Sequence, residues 1–255
     1  MRHKIVIGNW KMNPLTIKEA EKLFGDVAKA LSRIQKTEVI ICAPFIYLER
    51  LSKIRTSKVK LGAQNAFWGD QGAFSGEVSM EMLYELGVKN VILGHSERRA
   101  LGEKNDFINK KIKGAISSGL MPILCVGEES RDQDHQYFNI VKTQIKECLQ
   151  GVSRNLASKI MVAYEPVWSI SSTPNRRDAT SADSYEMAMF IRKILSDIFS
   201  PEIAKDIKVI YGGSVNERDA SEFLKDGGVD GVLPGRASLD SEKFIEIVKI
   251  AESLS

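Results

Sequence analysis

The feature that most constrains this chain is an alternation. Short runs rich in Val and Ile, near 4–9, 37–43, 59–64, 90–94, 121–126, 159–164, 207–211 and 229–233, are separated by longer amphipathic stretches. Each run is too short for a helix and almost continuously apolar, as a strand buried on both faces must be. The stretch 16–34 shows the helical partner. Ile17, Ala20, Phe24, Val27, Leu31 and Ile34 recur at steps of three and four and so share one face. Thr16 and Glu19 stand at capping-box spacing at its start. Similar patterns occupy 104–118, 136–150, 181–198, 217–226 and 241–253, with shorter ones near 45–54 and 79–86. Eight strand–helix pairs without a Pro/Gly/Ser-rich linker predict a parallel sheet with right-handed crossovers. In 255 residues such a sheet closes into a (β/α)8 barrel, here one α/β domain over residues 1–255. The alternative is an open doubly wound sheet, but no G-x-G-x-x-G follows the first strand, so its dinucleotide-binding version lacks its main signal.

Composition narrows the function classes. The chain is 43% hydrophobic and carries a net charge of +3 from 36 basic and 33 acidic side chains. The charges are interspersed, and no basic block marks a nucleic-acid groove. Cys42, Cys125 and Cys148 have neither metal-ligand nor redox spacing and read as reduced thiols. No segment approaches the roughly 18 continuous apolar residues of a membrane span. The N-terminal apolar run stops at Gly8, short of the roughly 7–15 residues of a signal peptide. The expectation is a soluble cytoplasmic protein without a membrane or nucleic-acid partner.

In such a barrel the active site forms where strands end and helices begin. Asn9 and Lys11 follow the first strand, His95 the fourth, Glu165 the sixth, Gly212-Gly213-Ser214 the seventh and Gly235 the eighth. Each also has a plainer reading. Asn-x-Lys is a common solvated loop, and His95 reads equally well as a structural histidine. Gly212-Gly213-Ser214 is either a tight turn or a backbone anion cradle at a helix N-terminus. Glu165 is the sharpest signal, because a carboxylate between Ala163-Tyr164 and Pro166-Val167-Trp168 is costly to bury without a role or a partner.

Several motifs carry a resemblance. Gly8-Asn9-Trp10-Lys11-Met12-Asn13, Gly62-Ala63-Gln64-Asn65, Gly72 to Glu77, Gly94-His95-Ser96-Glu97-Arg98-Arg99, Ile123 to Glu128, Ala163 to Trp168, Tyr211 to Val215 and Gly235 to Leu239 occur in order along the chain. Together they resemble the triosephosphate isomerase family from end to end. The resemblance implies a TIM barrel that interconverts D-glyceraldehyde 3-phosphate and dihydroxyacetone phosphate through an enediolate, with neither cofactor nor metal. It implies Glu165 as base, His95 as electrophile, Lys11 as electrostatic anchor and Asn9 as a substrate contact. Phosphate would meet Ser171, Ser214, Gly235 and Arg236. The resemblance also implies a homodimer, with the loop from Gln64 to Glu77, which contains Phe67, Trp68 and Phe74, inserting into a second subunit. The rival readings are another barrel enzyme acting on phosphosugars and a non-catalytic barrel kept for binding.

The chain departs from the family pattern twice. After the sixth strand the family usually reads Ile-Gly-Thr-Gly-Lys-Thr-Ala-Thr, a lid that excludes water and grips phosphate. Here Ile170 to Thr180 lacks both glycines, is a few residues longer and contains Pro174 and Arg176-Arg177. Either this tip is a solvated insertion, or one arginine contacts the barrel and offsets the lost glycines. After the eighth strand Pro234-Gly235-Arg236 replaces Val-Gly-Gly. Arg236 either turns outward or adds a charge to the phosphate site.

Overall fold

The computed structural model describes residues 3–170 and 177–255. The chain runs β1 (Ile5–Asn9), α1 (Ile17–Ala30), β2 (Glu38–Ala43), α2 (Phe45–Leu51), β3 (Val59–Ala63), α3 (Met80–Glu85), β4 (Asn90–Leu93), α4 (Ser96–Ala100), α5 (Asn105–Ser117) and β5 (Met121–Val126). It continues through α6 (Tyr137–Cys148), β6 (Met161–Tyr164), α7 (Ser181–Ile198), α8 (Pro201–Asp206), β7 (Lys208–Tyr211), α9 (Ala220–Asp226), β8 (Gly231–Val232) and α10 (Ser241–Ser253). Short 3-10 turns lie at Arg154–Lys159, Val167–Ser169 and Arg236–Leu239. Every strand pairs in parallel with its neighbours in chain order, and β8 returns to β1, closing the (β/α)8 barrel.

The pleat explains the two apolar compartments. Alternate residues point inward, so Ile5, Ile7, Ile40, Ile92, Ile123, Met161, Ile210 and Leu233 fill the barrel. Their neighbours, such as Val6, Val39, Val91, Val162 and Val209, face the helices. Both sets are buried, which is why each strand reads as one unbroken apolar run. Helix α1 shows how local chemistry sets a boundary. Thr16 accepts from the Glu19 N–H and Glu19 bonds back to Thr16, completing the capping box. Its predicted C-terminal extension to residue 34 is not helical; the helix stops at Ala30 and the apolar Leu31 and Ile34 pack from the turn that follows.

Other boundaries differ in the same way. The eighth strand contracts to two residues, since pairing needs only Gly231 and Val232 to bridge β7 and β1. The run at 159–164 begins as a 3-10 turn and pairs only from Met161. The expected projecting aromatics are mostly folded back. Phe67 is buried, Trp68 stacks between Phe67 and Phe107, and Phe74 alone of the three is exposed. Cys42, Cys125 and Cys148 are buried free thiols. Among the described residues no helix is long and apolar enough to cross a membrane.

Candidate active site

The C-terminal ends of the strands deliver most of the predicted residues to one cavity, with Glu165 beside it. A cavity of about 310 Å³ is lined by Asn9 and Lys11 after β1, His95 after β4, Gly212 to Ser214 after β7, and Gly235 and Arg236 after β8. Ser171 lies outside the described residues, as do Pro174 and Arg176.

Lys11 is held in a conformation that a side chain rarely adopts, with φ at 53°. Three bonds over-determine it. The Lys11 N–H donates to Asn9 Oδ1 at 3.0 Å, and Gln64 Nε2 donates to the carbonyls of Lys11 and Cys42, each at 2.9 Å. Stored strain of this kind is sustained only where the surroundings impose it. The result aims the ammonium at the cavity, where Nζ pairs with Glu97 Oε1 at 2.5 Å. Gly235 lies alongside: a Cβ there would stand 3.3 Å from Lys11 Cε and 4.0 Å from Nζ. Asn9 itself is buried and spends its carbonyl oxygen on this turn.

His95 caps α4. Its Nδ1 accepts from the Glu97 N–H at 3.2 Å, so the ring hydrogen resides on Nε2. That edge faces Glu165, with Nε2 3.2 Å from Oε1. Glu165 is buried, 1% exposed. Its Oε2 accepts from the Ser96 N–H at 3.1 Å, whereas among the described residues Oε1 has no aligned donor despite its closeness to the imidazole. The carboxylate therefore leans towards the first turn of α4 and lines a neighbouring cavity of about 430 Å³ with Ser96, Gly127 and Gln144 rather than the cavity of the other site residues. Beneath it, burial and then the Glu165 charge push the Cys125 thiol well above its ordinary range.

The turns after β7 and β8 bring backbone donors to the cavity. Among the described residues the N–H groups of Gly213, Ser214 and Gly235 donate to no backbone carbonyl, and all three residues line the cavity. Backbone donors grouped in this way are what an anion cradle requires. Arg236, the second departure from the family pattern, is exposed at the rim and lines the same cavity.

The segment after Glu165 is footed on a buried carboxylate that the sequence did not single out. Glu128 Oε1 accepts from Tyr164 Oη at 2.8 Å, Trp168 Nε1 at 2.9 Å and Arg131 Nε at 3.3 Å. Trp168 is flanked by two cations, Arg177 Cζ 4.3 Å and Arg131 Cζ 5.4 Å from the ring centroid. The Arg177 contact is thus with Trp168, within the segment that follows β6. Gln64, Glu97 and Glu128 all stand inside the quoted motifs, which were their only signal; nothing in their residue type marks them as supports.

Comparison with known proteins agrees with this geometry. A family model described as "Triosephosphate isomerase" matches residues 4–251. The chain is 41% identical to the triosephosphate isomerase of Dictyoglomus thermophilum, over 98% of this chain and 100% of that protein. It is 42% identical to that of Dehalococcoides mccartyi, over 98% and 97%, and 42% identical to that of Aquifex aeolicus, over 96% and 98%.

Proposed function

The chain belongs to the triosephosphate isomerase family, an isomerase of triose phosphates, and we propose that Glu165, His95 and Lys11 carry its reaction, the interconversion of D-glyceraldehyde 3-phosphate and dihydroxyacetone phosphate. The observation that carries this assignment is the pairing of a buried carboxylate with an imidazole whose Nε2–H edge faces it across 3.2 Å. Glu165 turns from Ser96 towards the substrate and takes the proton from the carbon next to the carbonyl. The C–H electron pair becomes a C=C bond while the carbonyl π pair moves onto its oxygen, and the product is an enediolate. The hydroxyl proton passes to the former carbonyl oxygen, relayed through His95 Nε2, and the same carboxyl group returns its proton to the adjacent carbon, the C=C pair forming the new C–H bond. His95 Nε2–H and the Lys11 ammonium supply positive poles where the oxygen charge develops, without reorganising as it does so. A positioned base of this kind contributes roughly 10²–10⁴-fold.

Asn9 contacts the substrate through its amide nitrogen, since its oxygen is committed to the Lys11 turn. The N–H groups of Ser214 and Gly235 receive the phosphate, as does the N–H of Ser171. Arg236, at the rim, adds a side-chain charge beside them. Residues 1–255 work as one domain, in the cytoplasm.

The active unit is a homodimer. Met12, Leu15, Ile46, Phe74, Met82 and Leu101 are large apolar side chains between 48% and 90% exposed. They sit on the loops and helices that follow β1 to β4, neighbouring positions on one side of the barrel. Apolar exposure on that scale marks a partner surface, and a two-fold axis lets one patch cover its own copy.

The test is a coupled isomerisation assay on purified protein, run with wild type and Glu165→Gln. The wild type isomerises both substrates, and the amide, which cannot accept the proton, lowers kcat by about 10² or more with the fold intact. Near-normal turnover in Glu165→Gln shows that another group is the base.

A further inference from the structure

A base that serves two adjacent carbons needs its backbone fixed, and Glu165 stands one residue beyond the end of β6. Its N–H donates to Val126 O at 2.8 Å, and the Val167 N–H donates to Glu128 O at 3.0 Å. These two bonds stitch the base to the segment that leaves β5. Between their acceptors lies Gly127, against the other side of the Glu165 peptide. A Cβ on Gly127 would fall 1.8 Å from Glu165 O and 2.6 Å from its carbonyl carbon, so the two main chains are in direct contact. Whatever sets the position of Gly127 therefore sets the position of the base.

Gly127 lies beyond the last paired residue of β5, and its peptide groups have no strand partner. Gln144 takes both. From α6 its Oε1 accepts from the Gly127 N–H at 2.8 Å, and its Nε2 donates to Gly127 O at 3.0 Å. One amide closes a double hydrogen bond onto one residue, which fixes orientation as well as distance. Gln144 also lines the cavity into which the Glu165 carboxylate leans, so it borders the base on the side away from the substrate cavity.

We infer that Gln144 is a positioning residue for the isomerisation, holding Gly127 as the surface against which the Glu165 backbone is set. The inference rests on Glu165 as the base. It follows that losing the Gln144 amide slackens the β5 end, lets the Glu165 carboxylate drift, and slows proton transfer while leaving the phosphate cradle of β7 and β8 untouched. A displacement near 1 Å at a reacting group costs about 10²-fold.

Two variants test it in the coupled assay. Gln144→Met fills similar space without either bond and lowers kcat by about 10-fold or more, with KM within about threefold of wild type. Gln144→Glu keeps the acceptor for the Gly127 N–H and loses the donor to Gly127 O. Its kcat falls between the two, and its ratio to wild type rises as pH drops through the carboxyl range, because the protonated acid donates again. A merely structural residue would not give that pH-dependent ratio. Gln144→Met with kcat within about twofold of wild type overturns the inference, and if that variant does not fold, a Gln144→Glu ratio that is flat with pH does so. Loss of kcat matched by an equal rise in KM also overturns it. An inactive wild type, or a fully active Glu165→Gln, instead removes the assignment of the base.

Discussion

Gly212→Ala is a small change with a calculable reach. Gly212 follows β7, its N–H donates to Tyr164 O at 2.7 Å, and its Cα faces the stem of the base. A Cβ added there would stand 2.9 Å from Glu165 Cγ and 3.4 Å from Tyr164 O. Carbon atoms rest at roughly 3.5–4.0 Å, so the Glu165 stem must retreat by about 0.6–1 Å. The backbone at Gly212 lies outside the left-handed region, so alanine adds bulk and no conformational strain. Overpacking of this kind costs about 1–3 kcal/mol of stability, which a barrel of this size survives. Displacing the carboxylate by that distance lowers kcat by about 10- to 100-fold with little change in KM, because the donors of Ser214 and Gly235 remain in place. Steady-state kinetics on Gly212→Ala, Glu165→Gln and the double variant make the assay. If the alanine acts through the base, its penalty largely disappears in the Glu165→Gln background. Wild-type kcat in the single variant, or full additivity in the double, refutes the reasoning.

The other predictions concern assembly, the segment after Glu165 and the base of the barrel. Light scattering at micromolar concentration gives a mass of about twice 28.4 kDa, and Leu15→Asp with Met12→Asp shifts the protein towards that single-chain mass and lowers activity; a fully active 28.4 kDa species contradicts the dimer. Arg177→Ala removes the closer of the two cations over Trp168, a contact worth roughly 0.5–2 kcal/mol. It lowers kcat a few-fold, weakens binding of a phosphorylated transition-state analogue and increases phosphate loss from the enediolate, and wild-type values in all three measurements leave Arg177 as a solvated side chain. Glu252 on α10 accepts from the N–H groups of Gln35, Lys36 and Thr37 and so ties the last helix to the loop before β2. Partial burial pushes its carboxyl up, but those donors outweigh it and hold the group at about 2, below the ordinary 4.5. The folded-state value is depressed, so this stabilisation is complete above 4.5 and is lost as pH falls towards 2. Glu252→Gln lowers Tm by about 2–6 °C at neutral pH, and the gap from wild type narrows in acid; a gap that does not change with pH contradicts the charge-based account.

Different layers of this protein were legible for different physical reasons. Strands announced themselves because a parallel barrel buries both faces of Ile5-Val6-Ile7, leaving no polar alternation to confuse the pattern. Helix α1 was legible to its first residue because a capping box is local chemistry, and illegible at its end because Leu31 and Ile34 pack with the same periodicity after the helix has stopped. At the site, Glu165 stood out because an acid in an apolar context is expensive. Its supports did not, since Gln144 and Gly127 lie 17 residues apart in sequence and Gln64 reaches Lys11 across 53. A glutamine on an amphipathic helix looks like any solvated polar residue until the fold shows which peptide it clamps. The same logic bears on the altered segment after β6. Arg177 replaces no known contact by residue type, yet its backbone N–H donates to Trp168 O at 3.3 Å and its guanidinium covers the indole. Trp168 in turn donates to Glu128, which also receives Tyr164, the residue before the base. Arg177 is thus linked through the indole and one buried carboxylate to the backbone next to Glu165. A change in the segment after β6 can therefore alter proton transfer through the placement of the base, as well as through exclusion of water.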